Sequence, residues 1–176
     1  MGQTDAAMQK DSSIVLDHPS VRRVRSALAD AGVTGEIVVL DGAARTAAQA
    51  AEALGTSASA IANSLVFQAT RTDGSRIPLL VLTSGSHRVD TDYLATEQGF
   101  VSISKADPEF VRATTGFAIG GVAPVAHTTP VTTLVDAALA LQGVVWAAAG
   151  HPHTVFPTSH AELVRITGGR SVGVRP

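Results

Sequence analysis

Apolar residues recur at helical spacing near the start of the chain. Val21, Val24 and Leu28 are three or four residues apart, and arginines lie off this stripe. Residues at these intervals share one face of an α-helix. The pattern therefore predicts a helix that begins after Pro19 and ends at Gly32, a residue that commonly stops helices.

Helix-capping residues indicate four more helices. Thr46-Ala-Ala-Gln49 and Ser159-His-Ala-Glu162 have the form of capping boxes, in which side chains satisfy the free main-chain donors of a first turn. Asp90 and Asp107 are N-cap candidates, and Pro108 suits the first helical position. The predicted helices cover residues 47–54, 91–98, 108–115 and 160–166, with short helical turns before residue 61 and over 136–141.

Seven short runs rich in Val, Ile and Leu predict β-strands. They cover residues 36–40, 64–69, 77–83, 100–104, 131–134, 144–148 and 171–174. Asp73-Gly74 separates the second run from the third and favours a tight hairpin, which requires antiparallel pairing. Strands and helices interleave without strict alternation. We therefore predict a mixed α/β (α+β) fold, in which helices surround a curved mixed β-sheet or partial barrel.

The segment 115–127 interrupts these regular patterns. Gly116, Gly120, Gly121 and Pro124 lie close together there, among apolar residues. Glycine permits positive φ and close approach to the main chain, and proline removes a donor. Two interpretations remain open: a buried structural turn, or a shaped loop that presents main-chain N–H groups to a ligand.

Composition narrows the possible classes of protein. The 176 residues suit one domain, predicted over 17–176, and the polar residues 1–16 are predicted to be a disordered tail. The net charge of −2 argues against a protein that binds nucleic acid through bulk charge. There is no cysteine, no signal-like segment and no run long enough to cross a membrane, so we expect a cytoplasmic protein.

Four histidines lie in predicted loops after strands or beside the glycine-rich segment, where they could act as bases, donors or metal ligands. They are His87, His127, His151 and His153. No third ligand with recognisable spacing accompanies the last two, and no nucleophile elbow, phosphate loop or dinucleotide motif is present. From the residues alone we expect neither a metal nor a cofactor.

Several segments together resemble the YbaK / prolyl-tRNA synthetase-associated domain family of aminoacyl-tRNA deacylases. They run in the family's order from His18 to the end of the chain. The matching segments are Thr46-Ala-Ala-Gln-Ala-Ala-Glu-Ala-Leu-Gly55, Ile61-Ala-Asn-Ser-Leu-Val-Phe67, Arg88-Val-Asp90, Thr115-Gly-Phe-Ala-Ile-Gly-Gly-Val-Ala-Pro124, Val145-Trp-Ala-Ala-Ala-Gly150 and Glu162-Leu-Val-Arg-Ile-Thr-Gly168. The resemblance implies a barrel-like mixed sheet ringed by helices.

The resemblance also implies a function in translation fidelity. Members hydrolyse the ester that joins a mischarged small amino acid to tRNA, so the implied partners are the charged 3′ end of tRNA and an aminoacyl-tRNA synthetase. Gly120-x-x-x-Pro124 matches the loop that surrounds this ester, and fixed main-chain donors there would stabilise the oxyanion. The implied catalytic residues are Asn63, Gly120, Gly121 and Pro124. The implied substrate-binding residues are Thr46, Ser64, Ser84, His87, Arg88, Gly116, Gly150 and His151.

One residue departs from the family pattern. Many members carry a lysine where this chain has Asn63, and an amide donates hydrogen bonds but carries no charge. Two hypotheses follow: an editing hydrolase, or a module that binds aminoacyl-tRNA, a nucleotide or a synthetase without turnover.

Overall fold

Helix α1 (Pro19–Asp30) confirms the first predicted helix. The computed structural model of the protein describes residue 9 and residues 11–176. The His18 side chain caps α1 by accepting from the Ser20 N–H at 3.2 Å, and the predicted apolar face is buried. Residues 11–16 are helical, so the end of the predicted tail has regular structure; residues 1–8 and 10 lie outside the described residues.

The other helices begin at the predicted caps. Each N-cap side chain accepts a hydrogen bond from the main-chain N–H three residues later, which satisfies an otherwise free donor of the first turn. These helices are α2 (Ala47–Leu54), α3 (Thr91–Gln98), α4 (Pro108–Thr115) and α5 (His160–Thr167). Single 3-10 segments cover Ala58–Ala60 and Ala137–Leu141.

An open, mixed sheet of eight strands forms the centre of the described structure. The strands are β1 (Val38–Val39), β2 (Ile61–Thr70), β3 (Arg76–Ser84), β4 (Ser102–Lys105), β5 (Thr132–Asp136), β6 (Val145–Ala148), β7 (Thr154–Thr158) and β8 (Arg170–Val172). Their order is β1-β7-β6-β2-β3-β5-β8, and β4 also pairs with β2. β2 and β3 form the predicted antiparallel hairpin, whereas β2–β6, β3–β5 and β5–β8 are parallel.

The sequence analysis missed β7. Its five residues include Pro157, which has no N–H and normally argues against a strand inside a sheet. β7 pairs with β1 only at Thr154 and Val155, so Pro157 lies beyond the reach of β1. β2 also begins three residues earlier than the predicted 64–69, because β6 pairs with its first two residues.

Hydrophobic side chains fill both faces of the sheet. On β3, Leu80 and Leu82 belong to a core that includes residues of α1, α4 and α5. Leu79 and Val81 point to the other face and pack in a second cluster with Leu94 of α3. Successive residues of a strand face opposite sides of the sheet. The continuous apolar run of β3 therefore correctly indicated a strand that is covered on both faces.

One edge of β2 is shared by two short strands. β6 pairs with Ile61 and Ala62, and β4 pairs with residues 67–70. Residues 63–66 therefore have no strand partner on this edge among the described residues. The interruption leaves room beside the centre of the sheet, at the segment that carries Asn63 and Ser64.

A buried carboxylate joins the end of β3 to the end of β5. Asp136 is 1% exposed, and its Oδ2 accepts from the Ser84 N–H at 3.0 Å, the Thr83 hydroxyl at 3.2 Å and His87 Nδ1 at 2.9 Å. Its Oδ1 accepts from the Ala138 N–H at 3.0 Å. Four donors share one carboxylate, so its loss would leave several polar groups buried without a partner.

We expect Asp136→Ala to lower the free energy of unfolding by about 3 kcal/mol, because breaking a buried charged network leaves donors unsatisfied. Urea denaturation monitored by circular dichroism measures the change. Asp90→Ala is the matched control, since it removes one exposed helix cap and should cost about 1 kcal/mol. Equal losses in the two variants would contradict the structural role assigned to Asp136.

Candidate functional site

A concave site lies at the interrupted edge of β2. We call its first part the Trp146 hollow, which has a volume of about 230 Å³ and lies between α2, β2, β6 and β7. Its apolar lining includes Ala47, Ala50, Ile61, Trp146 and Val155. The small residues of α2 leave this space open because an alanine-rich helix fills little volume with side chains.

Polar groups are few in the Trp146 hollow. Asn63 and Ser64 contribute from β2, and Arg45 and Thr46 contribute from the start of α2. The Thr46 hydroxyl is already used as the N-cap, where it accepts from the Gln49 N–H at 3.2 Å. Ser64 Oγ is shielded from solvent and has no hydrogen-bond partner within the described chain.

A second hollow of about 310 Å³ adjoins the first. We call it the Val111 hollow; its apolar lining includes Val66, Phe67, Val89 and Val111, and Arg88 and Lys105 also line it. The two hollows share a wall, formed by β2 on one side and the glycine-rich loop on the other. The shared residues are Ser64, Leu65, Ile119, Gly120 and Val122.

Gly120 of the glycine-rich loop lies at this wall with an unpaired main-chain amide. Gly120 has a φ of 92°, a conformation that favours glycine, and its N–H has no hydrogen-bond partner among residues 11–176. The Gly121 N–H instead donates to the Ala118 carbonyl at 3.0 Å. The sequence predicted donors from both glycines, and the structure leaves only that of Gly120 open; the turn that positions Gly120 uses the other.

Arg23 and His127 fix the loop from behind. Arg23 Nε donates to the Ala126 carbonyl at 3.0 Å, and its guanidinium lies 4.6 Å from the centre of the Phe117 ring. His127 Nε2 donates to the Ala123 carbonyl at 2.7 Å. Burial lowers the pKa of His127 below its usual value of 6.5, outweighing that hydrogen bond, so His127 is neutral near pH 7.

The loop that contains His151 packs tightly against the same segment. A side chain on Gly121 would approach the main chain of His151 to 3.0 Å, and one on Gly150 would lie 2.8 Å from the Ser20 carbonyl. The His151 ring lies 5.2 Å from that of His18 and 5.4 Å from that of His153, measured between centroids. Partial burial, with these two histidines, lowers the pKa of His151.

The structure brings together only part of the predicted site. Asn63, Ser64, Thr46, Gly120 and Arg88 line one hollow or both. His151 lines a neighbouring depression that also contains Arg45, Ile119 and Gly120. The remaining predicted residues are not among the lining of either hollow.

Seven predicted residues line neither hollow: Gly121 and His151, described above, and five more. Ser84 and His87 lie at Asp136, where both donate to its carboxylate. Gly116 ends α4 and its carbonyl faces Arg23, at 3.4 Å. Pro124 and Gly150 are buried within their loops. Binding roles for these five remain predictions, and their observed contacts are structural.

Sequence reasoning did not identify several residues that line the hollows, among them Arg45, Lys105, Ile119 and Trp146. Trp146 lies in a predicted apolar strand, and such a pattern does not distinguish a core residue from one that lines a hollow. Lys105 ends β4 opposite Phe67 of β2. Only strand pairing brings it to the site. Arg45 directly precedes Thr46, which was predicted to bind substrate, so its neighbourhood to Thr46 could have indicated it from the sequence.

The described part of the chain shows neither a metal-binding cluster nor a membrane-spanning helix. Residues 9 and 11–176 contain no group of three or more His, Asp or Glu side chains arranged to hold a metal ion. None of the described helices is both long and apolar enough to cross a membrane.

Several solved structures have similar folds, and one of them is described as an editing enzyme. A proposed trans-editing enzyme for prolyl-tRNA synthetase shares 38% identity, with a TM-score of 0.80 over 90% of this chain and 98% of that chain. A structure from the computational grafting of linear epitopes onto scaffold proteins shares 36% identity, with a TM-score of 0.81 over 90% and 99%. The hypothetical protein APE2540 shares 27% identity, with a TM-score of 0.74 over 85% and 98%. No curated protein matches the chain significantly.

The match of the chain to a family model agrees with this geometry. Residues 41–166 match the model of the aminoacyl-tRNA editing domain, and this range contains α2, β2, the glycine-rich loop and both hollows. The resemblance inferred from the sequence is thereby confirmed, and the chain belongs to the aminoacyl-tRNA editing domain family.

Proposed function

We propose that this protein hydrolyses the ester between a mischarged small amino acid and the 3′ end of tRNA. The observation that carries the proposal is the wall shared by the two hollows. That wall contains Gly120, whose N–H has no hydrogen-bond partner among the described residues, and Ser64, whose buried hydroxyl has none either. An ester joins an acyl group to a ribose, and two connected hollows fit a substrate with two such parts.

The proposed chemistry is the addition of water to the ester carbonyl. Negative charge develops on the carbonyl oxygen in the tetrahedral intermediate, and the Gly120 N–H is a fixed donor for it. The bond between the acyl carbon and the ribose oxygen then breaks. The proton that the attacking water loses is taken up by the ribose oxygen, which restores the hydroxyl and releases the amino acid. Ser64 is suited to bind a ribose hydroxyl because its own oxygen is otherwise without a partner.

The Trp146 hollow is suited to the amino acid side chain. Its walls are largely apolar, and its volume of about 230 Å³ favours a small side chain over a large one. Discrimination by size in such a hollow is the physical basis of an editing sieve.

Arg45 is suited to replace the charge that the family lysine supplies. It lines the Trp146 hollow with Asn63, and its side chain forms no ion pair or hydrogen bond within the described residues. A guanidinium is always charged near neutral pH and donates in a fixed plane. We therefore assign to Arg45 and Asn63 together the role of orienting the ester.

A panel of tRNAs charged with small amino acids tests hydrolysis. We expect ester loss above background for at least one of them. Gly120→Ala keeps the N–H but places a side chain on a residue with a φ of 92°, so the donor should lose its alignment and kcat/KM should fall roughly 10- to 100-fold. Gly74→Ala is the matched control: Gly74 has a similar φ of 82° in the hairpin turn, with no atom near the added methyl group.

Two results would contradict the proposed hydrolysis. Equal activity of Gly120→Ala and Gly74→Ala would remove Gly120 from the mechanism. Binding of charged tRNA without ester loss, unaffected by Asn63→Ala, would instead favour the non-catalytic binding module suggested by the missing lysine.

A charge-exchange experiment tests Arg45. We expect Arg45→Gln to reduce deacylation about tenfold, because a charged donor is worth more than a neutral one. Adding Asn63→Lys to that variant should recover most of the rate, since the charge returns to the same hollow. Arg71→Gln, in the exposed hairpin turn, is the control. Full activity of Arg45→Gln, or no recovery on adding Asn63→Lys, would show that the charge is not needed there.

The stability of the loop should depend on pH through His127. Its lowered folded-state pKa means that the unfolded chain binds more protons once the pH falls below about 6.5. The contribution of neutral His127 to the free energy of unfolding is therefore fully present above about pH 6.5, and it is lost as the pH falls toward the folded-state pKa of His127. We expect the free energy of unfolding to decrease less steeply for His127→Gln, measured by urea denaturation between about pH 7.5 and pH 5.5. The pKa of His151 is also lowered, so part of the pH dependence should remain in the variant. A pH dependence of the unfolding free energy identical to that of wild type would contradict the contribution assigned to His127.

A further inference from the structure

One guanidinium contacts both ends of the glycine-rich loop. Arg23 of α1 donates from Nε to the Ala126 carbonyl at 3.0 Å and from Nη2 to the Gly116 carbonyl at 3.4 Å. The same guanidinium lies 4.6 Å from the centre of the buried Phe117 ring. Arg23 forms no ion pair within residues 9 and 11–176, so its donors and its charge act on the loop.

The contact with Arg23 requires a small residue at position 116. Gly116 has a φ of 77°, and a Cβ added there would lie 2.9 Å from Arg23 Nη2. Glycine permits both the left-handed conformation and the close approach of the guanidinium. The observed contacts of Gly116 therefore connect the loop to α1.

Ala126, at the other end of the loop, adopts a conformation that is rare for alanine. Its φ is 65°, and no other non-glycine residue among the described ones has a positive φ. Crowding by Cβ makes this conformation unfavourable, so it persists only where neighbouring contacts hold it. Within the described chain, the bond from Arg23 is the only hydrogen bond that the main chain of Ala126 forms.

The position of Gly120 depends on the two ends of the loop. Between them, the Gly121 N–H donates to the Ala118 carbonyl at 3.0 Å, and His127 Nε2 donates to the Ala123 carbonyl at 2.7 Å. A segment with so few hydrogen bonds of its own opens easily unless other elements hold it. A shift at either end would therefore move the main chain that carries the Gly120 N–H.

Arg23 belongs to a part of the chain that the family match does not include. The match covers residues 41–166, whereas α1 covers Pro19–Asp30. Arg23 and Ala126 are separated by 103 positions in the sequence. The contact therefore adds a residue from outside the matched range to the support of the site.

We propose that Arg23 is a positioning residue for the Gly120 N–H: it ties the two ends of the glycine-rich loop together and holds Ala126 in the left-handed conformation. The effect on catalysis rests on the proposed function, whereas the effect on the loop rests on the contacts of Arg23 alone.

Quenching of Trp146 fluorescence by acrylamide tests the position of the loop without a substrate. Trp146 is the only tryptophan of the chain, and it lines the same hollow as Ile119 and Gly120. We expect Arg23→Gln to raise the quenching constant under native conditions, because a displaced loop uncovers the indole.

Arg22→Gln is the matched control and should be quenched like wild type. Arg22 is the exposed neighbour of Arg23 on α1, and its side chain forms no hydrogen bond or ion pair within the described residues. Circular dichroism verifies that each variant is folded. If Arg23→Gln does not fold, Arg23→Lys takes its place, because a lysine keeps the charge but lacks the planar fork that reaches two carbonyl groups.

A second substitution tests the link through Ala126. Glycine adopts a positive φ without strain, so the double variant Arg23→Gln/Ala126→Gly should recover a large part of the wild-type quenching constant. A wild-type quenching constant in Arg23→Gln, or no recovery in the double variant, would overturn the proposal.

Deacylation kinetics test the consequence for Gly120. We expect Arg23→Gln to lower kcat roughly tenfold with KM nearly unchanged, because a misplaced donor affects the transition state more than the binding of substrate. A wild-type kcat in a variant with raised quenching would overturn the positioning role, while the proposed hydrolysis would stand. Absence of hydrolysis in the wild-type protein would contradict the proposed function alone, since the quenching constants decide independently whether Arg23 holds the loop.

Discussion

The interruption on one edge of β2 is the constraint on which the site depends. β6 and β4 pair with the two ends of this edge and leave residues 63–66 uncovered. A continuous partner strand would fill this space with side chains and use the main-chain groups of the edge. Because the strands are short, the gap is instead faced by the glycine-rich loop, and the two hollows lie on either side of their contact.

A few specific contacts hold the glycine-rich loop in place. Arg23 and His127 donate to its carbonyl groups, and the close approach of the His151 main chain leaves little room for a side chain on Gly121. Main-chain donors held in this way do not need to reorganise when charge develops nearby. The loop therefore behaves as part of the scaffold, while Ile119 at its tip remains 57% exposed at the mouth of the hollows.

Charge is used sparingly in this protein. The net charge is −2, and Arg23 is committed to the fold, whereas Arg45, Arg88 and Lys105 line the hollows and are free of internal partners. This division favours a short-range attraction for one end of a polyanion over a broad basic face. Arg45, which precedes α2, lines the same hollow as Asn63, the residue at the position of the family lysine.

The sequence by itself determined the local structure. Thr46, Asp90 and Asp107 marked helix starts because capping is a contact between near neighbours, and the pattern and motifs together were sufficient for the fold class and the family. The tertiary structure decided which residues meet. β7 was missed because only its neighbours make Pro157 acceptable in a strand, and Lys105 joined the site only through the pairing of β4 with β2. His87 was instead placed at Asp136. These outcomes depend on contacts between residues far apart in the chain, and a local pattern carries no information about such contacts.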